Sequence, residues 1–290
     1  MSVQKVSAAG TSIWLDDLSR AKITSTEAHA LPARISNSGV VGVTTNPSIF
    51  SAAISGAAEY AADIAAMKSA PVDEVVKKLT TDDVRQACEL FTSLYQATHG
   101  VDGRVSIEVD PRLAHDTEGT IAAGKELWSI IDRPNVMIKV PATVEGLPAI
   151  TALIAAGISV NVTLIFSVKR YGQVVDAFMK GLEQCENPSQ VHSVASFFVS
   201  RIDSTVDGLL KKNGSPEADA RLGKRIALFC RFAHPVKCQG RVLRHAKAIY
   251  IHHSQVELRI HMTLSGGSAI PDGCLCSISR HPFTSFVANP

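Results

Sequence analysis

Six short apolar runs, each followed by a stretch with helical spacing, constrain what this chain can fold into more than any other feature. The runs fall at 12–16, 40–45, 104–109, 135–141, 158–166 and 191–199. Apolar residues recur at helical intervals over 48–67, 81–100, 116–131, 147–156, 167–185 and 203–212. A weaker helix is expected over 24–36, opened by the capping pattern Thr24-Ser-Thr-Glu27 and broken or kinked at Pro32. Strands and helices in strict alternation predict βα units and a parallel sheet.

The run 135–141, Asn-Val-Met-Ile-Lys-Val-Pro, is the most informative. Its apolar residues predict a strand buried on both faces, as in a sheet covered by helices. A charged amine is costly there. Lys139 must reach a polar lumen or lose its charge to desolvation, which favours the neutral amine that attacks carbonyls. The plain alternative is a lysine whose stem lies on apolar surface while its head reaches water.

An open doubly wound sheet that binds a nucleotide normally has a glycine-rich turn after its first strand. Neither G-x-G-x-x-G nor G-x-x-x-x-G-K-S/T occurs here. The expected fold is therefore an α/β barrel of the (β/α)8 TIM type, with strands 1 to 6 recognisable and catalytic groups at the strands' C-terminal ends.

Every run carries a polar residue near that end: Asp16, Asn46, Glu108, Lys139, Asn161 with Thr163, and Ser196. Such residues are costly in buried strands unless they satisfy one another, so they predict one ring around a lumen mouth. Alternation sets Asn161 and Thr163 on one face and Val160 and Val162 on the other. An amine condenses with a ketone to an iminium, an electron sink for breaking the adjacent carbon–carbon bond. Glu108 and Asp16 are placed for proton transfer, Thr163 to hold a water, and Asn46 and Asn161 to bind hydroxyls. This route needs no metal, and the His and acid spacing in 1–223 suggests none. Singly, each residue has a duller reading: Asp16 and Asp17 as helix caps, Asn46 as a turn residue before Pro47, Glu108 and Asp110 as a solvated strand end, Ser196 as a packed hydroxyl. His192 reads as a core or rim histidine.

Composition divides the chain near Lys224. Residues 1–223 carry 20 Lys+Arg against 25 Asp+Glu, and 224–290 carry 9 against 2. Four of the six cysteines also lie beyond residue 223, and the earlier two, Cys88 and Cys185, sit in helical patterns, so no disulfide framework is implied. There is no apolar run of membrane-spanning length and no secretory leader pattern, which makes the cytoplasm the expected compartment.

The segments Ser12-Ile-Trp-Leu-Asp16, Val41-Gly-Val-Thr-Thr-Asn-Pro47, Gly103-Arg-Val-Ser-Ile-Glu-Val-Asp-Pro-Arg112, Val136-Met-Ile-Lys-Val-Pro141, Asn161-Val-Thr-Leu-Ile-Phe-Ser167 and Ser193-Val-Ala-Ser-Phe-Phe-Val-Ser-Arg201 resemble the transaldolase family in its bacterial form. The resemblance spans about residues 10–222. It implies a cofactor-independent transferase of the pentose phosphate pathway, moving a dihydroxyacetone unit from sedoheptulose 7-phosphate to glyceraldehyde 3-phosphate through a lysine Schiff base. By position it assigns Lys139 as the Schiff-base lysine and Asp16 as the acid/base. Glu108 and Thr163 match the water-holding pair, Asn46, Asn161 and Ser196 the hydroxyl contacts, and Arg201 a phosphate-binding arginine. Sugar phosphates are then the partners, with neither nucleic acid nor membrane involved.

Beyond Lys224 the motifs stop. The basic, Cys- and His-rich tail 224–290 reads as a frame-shifted or misjoined segment, with 250–260 a possible strand. Two other readings compete: zinc held by Cys274, Cys276, His252, His253 and His261, and phosphate or nucleic-acid binding by the tail's positive charge. If the tail does not complete the barrel, the alternative function is an inactive truncated barrel that binds sugar phosphate or a partner.

Overall fold

The computed structural model describes residues 11–219, 243–252 and 255–264, together with Ser7. Among these described residues, eight strands form a closed barrel. The first six are β1 (Ser12–Asp16), β2 (Val40–Thr44), β3 (Arg104–Glu108), β4 (Val136–Pro141), β5 (Val160–Ile165) and β6 (Ser193–Phe197), parallel and in chain order. The helices α1 (Arg20–Thr24), α2 (Leu31–Ser38), α3 (Pro47–Ile54), α4 (Ala61–Ala66), α5 (Val72–Leu90), α6 (Thr92–Ala97), α7 (Thr117–Ile131), α8 (Gly146–Ala155), α9 (Val168–Gln184), α10 (Val199–Asn213) and α11 (Pro216–Asp219) follow or connect them.

The barrel does not close as eight repeated βα units. A hairpin of β7 (Leu243–His252) and β8 (Gln255–Leu264) closes it, with β8 antiparallel to β6 and β7 parallel to β1. Two residues separate these strands, whereas a parallel pair needs a crossover of about a dozen or more. An antiparallel hairpin is the arrangement such a connection permits. The expected single strand at 250–260 is thus replaced by two strands that straddle it, and both edges of the six-stranded sheet are paired. Cys274 and Cys276 lie outside the described residues.

Alternation along the strands divides the apolar residues in two. Val43, Val105, Ile107, Ile138, Val140, Val160 and Val162 join the main core with residues of the surrounding helices, among them Leu153, Ile154, Val174 and Phe178. Trp14, Met137 and Val194 form a separate cluster. Each stands two residues before a polar strand residue, Asp16, Lys139 or Ser196, so these three make an apolar floor beneath a polar mouth. All six positions of β4 are buried, as its apolar run predicts.

The floor depends on Gly42. A Cβ there would lie 2.6 Å from the Trp14 ring, so the indole packs directly on bare backbone. Directly paired with Gly42, Arg104 at the start of β3 is fully buried. Its Nε donates to Gly100 O at 2.6 Å and its guanidinium lies 5.2 Å from the Tyr95 ring centroid. Desolvation lowers its pKa to about 10.

Three local expectations are corrected. The helix expected from residue 81 is α5 and starts at Val72. Thr81 does not cap it; its hydroxyl donates back to Lys77 O at 2.8 Å, and the buried Asp83 accepts from Tyr60 Oη at 2.6 Å and Arg20 Nε at 3.0 Å. Pro32 does not break α2 but occupies its first turn, where a missing N–H costs nothing. The helix expected from residue 203 is α10 and starts at Val199, so Asp203 lies inside it.

Candidate active site

Strand register brings the polar strand ends together. Glu108 on β3 pairs with Lys139 on β4, and Lys139 with Asn161 on β5. Directly paired residues of parallel strands face the same side, so these three side chains enter the lumen at one level. Asp16, Thr44 and Ser106 are aligned likewise across β1, β2 and β3, and Ser106 precedes Glu108 by two residues on the same face.

The Lys139 amine is inside the lumen. Its side chain is 5% exposed, and Nζ stands 3.4 Å from Glu108 Oε2 and donates to Thr45 O at 3.2 Å. Glu108, with 14% of its side chain exposed, is the more accessible partner. The amine therefore has a charged neighbour, Glu108, and a carbonyl acceptor, Thr45, in a nearly dry site. Burying an ammonium is tolerable only with such partners.

Asn161 is fully buried and engaged at both ends of its amide. Nδ2 donates to Ser106 Oγ at 3.0 Å, and Oδ1 accepts from Ser196 Oγ at 2.9 Å. Thr163, two residues further along β5, is also buried, and its carbonyl accepts from Ala142 N at 2.8 Å. A register break between Val162 and Ile165, with Leu164 at φ 60°, interrupts the pairing of β5 with β6 around Thr163 before it resumes at Ile165.

Two residues stand apart from this cluster. Asn46 caps α3, its Oδ1 accepting from Ile49 N at 3.0 Å, so that atom does the work of the duller turn-residue reading. Arg201, in the first turns of α10, is exposed, and its guanidinium lies 5.0 Å from the Phe198 ring centroid. Phe198 in turn lies 5.3 Å from Phe166, which makes an aromatic rim beside the mouth.

The sequence reading passed over Ser106 and Thr44. Both are buried in the lumen, and Thr44 Oγ1 has no hydrogen-bond partner among the described residues. The signal was present for Ser106: alternation in Arg104-Val-Ser-Ile-Glu108 sets it on the same face as Glu108.

The chain matches the family model described as Transaldolase/Fructose-6-phosphate aldolase over residues 13–257. It belongs to the transaldolase/fructose-6-phosphate aldolase family. The family match extends past Lys224, where recognisable motifs stop. Among its relatives, the transaldolase of Mycolicibacterium smegmatis is 55% identical over 235 residues, covering 79% of this chain and 62% of the relative. Transaldolase 1 of Streptomyces avermitilis is 54% identical over 239 residues, covering 80% of this chain and 62% of the relative. The transaldolase of Kocuria rhizophila is 53% identical over 239 residues, covering 80% of this chain and 64% of the relative. The chain thus spans less than two thirds of the length of these relatives. Among the described residues, no helix is long and apolar enough to cross a membrane.

Proposed function

We propose that this chain is a transaldolase, moving a dihydroxyacetone unit from sedoheptulose 7-phosphate to glyceraldehyde 3-phosphate without a cofactor. The observation that carries this reading is the buried Lys139 amine, 3.4 Å from Glu108 in the lumen of a barrel of this family.

In this scheme Lys139 Nζ attacks the ketone carbon, and loss of water gives an iminium. A carboxylate, Asp16 or Glu108, takes the proton of the hydroxyl next to the scissile bond. The carbon–carbon bond breaks, its electron pair flows into the iminium to give an enamine, and an aldehyde leaves. The enamine then attacks the acceptor aldehyde, and water releases the product ketose and Lys139. Thr163 and Glu108 hold the water consumed in that last step. Asn46, Asn161 and Ser196 bind substrate hydroxyls, and Arg201 pairs with the phosphate, for which its planar fork is suited. These substrates are small, charged and water-soluble, and the proposed setting is the pentose phosphate pathway of the cytoplasm.

Borohydride tests the reading. Incubation with fructose 6-phosphate and borohydride should attach a reduced sugar fragment to Lys139, seen as a mass increase on its peptide. Trapping of Lys139→Ala to the same extent as the parent chain overturns the assignment.

A further inference from the structure

Ser106 lies at the meeting point of the lumen's hydrogen bonds. Its hydroxyl accepts from Asn161 Nδ2 at 3.0 Å, and its carbonyl accepts from Thr45 Oγ1 at 2.8 Å. Thr45 in turn offers its carbonyl to Lys139 Nζ at 3.2 Å. On the other side Asn161 Oδ1 accepts from Ser196 Oγ at 2.9 Å. One continuous path therefore runs from the Lys139 amine through Thr45, Ser106 and Asn161 to Ser196, crossing from β2 to β6. Ser106, Asn161 and Ser196 are fully buried, so water does not compete for these contacts.

An asparagine amide is nearly symmetric in shape, and its orientation is set by its partners. With Ser196 donating to its oxygen and Ser106 accepting from its nitrogen, Asn161 has one remaining Nδ2–H, the one turned away from Ser106. A ligand oxygen is the partner that hydrogen suits. Without Ser106, a flipped amide would present its oxygen there instead and repel the same ligand atom.

We propose that Ser106 is a positioning residue that fixes the Asn161 amide so that it donates to the substrate. This rests on the function proposed above, and the experiment separates the two. In the full chain, Ser106→Ala should still be trapped on Lys139 by borohydride with fructose 6-phosphate, while its kcat/KM falls about three- to tenfold, the range of one neutral hydrogen bond. In an Asn161→Ala background the same substitution should change kcat/KM by less than about twofold, since it acts through the amide. Ser106→Cys keeps the volume with a weak acceptor, and it carries the same cycle if the alanine variant does not fold. A readout independent of turnover is the Asn161 side-chain amide in a 15N-asparagine-labelled protein. Its two resonances should be protected from exchange in the parent and lose protection in Ser106→Ala. Parent-level kcat/KM in Ser106→Ala, an equal loss with and without Asn161, or unchanged protection each overturns the proposal. Absence of trapping in the parent counts against the function instead, and the exchange measurement then decides the positioning role alone.

Discussion

The amine of Lys139 faces a carboxylate oxygen of Glu108 at 3.4 Å, and the two residues are directly paired across β4 and β3. Glu108→Gln keeps the shape and a hydrogen-bonding group but removes the charge beside a buried amine. Two losses are expected. Proton transfer by a positioned carboxylate contributes about 10²-fold or more, so kcat should fall by at least that much. Stability should also fall by about 1–3 kcal/mol, because the partner of a buried charge is gone. Steady-state kinetics and urea unfolding of one preparation check both, and parent-like turnover removes Glu108 from the chemistry.

Asn46 can be tested for two roles at once. Its side-chain oxygen caps α3 through Ile49 N, and loss of such a cap costs about 1 kcal/mol. Asn46→Ala should therefore lower the unfolding midpoint and weaken sugar-phosphate binding together. Asn46→Asp keeps the capping oxygen but loses the amide donors, so it should unfold like the parent while its KM for the ketose phosphate rises. An unchanged KM in Asn46→Asp reduces the residue to a cap.

The strands were legible because two signals coincided: the period of two, and polar residues confined to one end. Lys139, Glu108, Asn161 and Ser196 meet because that alternation survives folding intact. The start of α5 was not legible, since Thr81-Asp-Asp83 has the composition of a cap, yet Thr81 bonds back to Lys77 O, Asp82 pairs with Lys78 and Arg85 on the same helix, and Asp83 turns to a tertiary contact. Asp83 is held by Arg20 and Tyr60, 63 and 23 residues away in sequence, and no local pattern reports such pairings. The closing hairpin was only half hidden: Val256-Glu-Leu-Arg-Ile-His-Met-Thr-Leu264 alternates apolar and polar residues as a strand does, whereas 243–252 does not, and the expected strand at 250–260 cut across both. Ser106 is less legible because it stands inside β3, two positions before the end residue Glu108, where a small hydroxyl also fits a packed interior.

The lumen floor gives a prediction about packing. A methyl group at position 42 would have to displace the Trp14 ring, which lies 2.6 Å from the Cβ position. Overpacking of this kind costs about 1–3 kcal/mol. Gly42→Ala should lower the urea midpoint accordingly and change the Trp14 fluorescence, and Trp14→Phe, which trims the ring, should recover part of the loss in the double variant. Additive effects of the two substitutions contradict direct packing of Trp14 on Gly42.

The carboxyl of Asp102 supplies a pH dependence away from the chemistry. It accepts from Ser12 Oγ at 2.7 Å where the chain enters β3, and burial raises its pKa above the ordinary value of 3.8, against the opposing effect of the Ser12 bond. A carboxyl raised in the folded state favours its protonated form. Its contribution to stability is fully present below the unfolded value and is lost as pH rises through the folded one. At neutral pH the partly buried charge therefore works against the fold. Asp102→Asn keeps an acceptor for Ser12 without the charge, so it should melt higher than the parent at pH 7, with the gap narrowing as pH falls toward 4. Thermal melts across that range decide it: a pH-independent offset, or a variant less stable at pH 7, means that Asp102 pairs favourably as a carboxylate and burial is not what sets its ionisation.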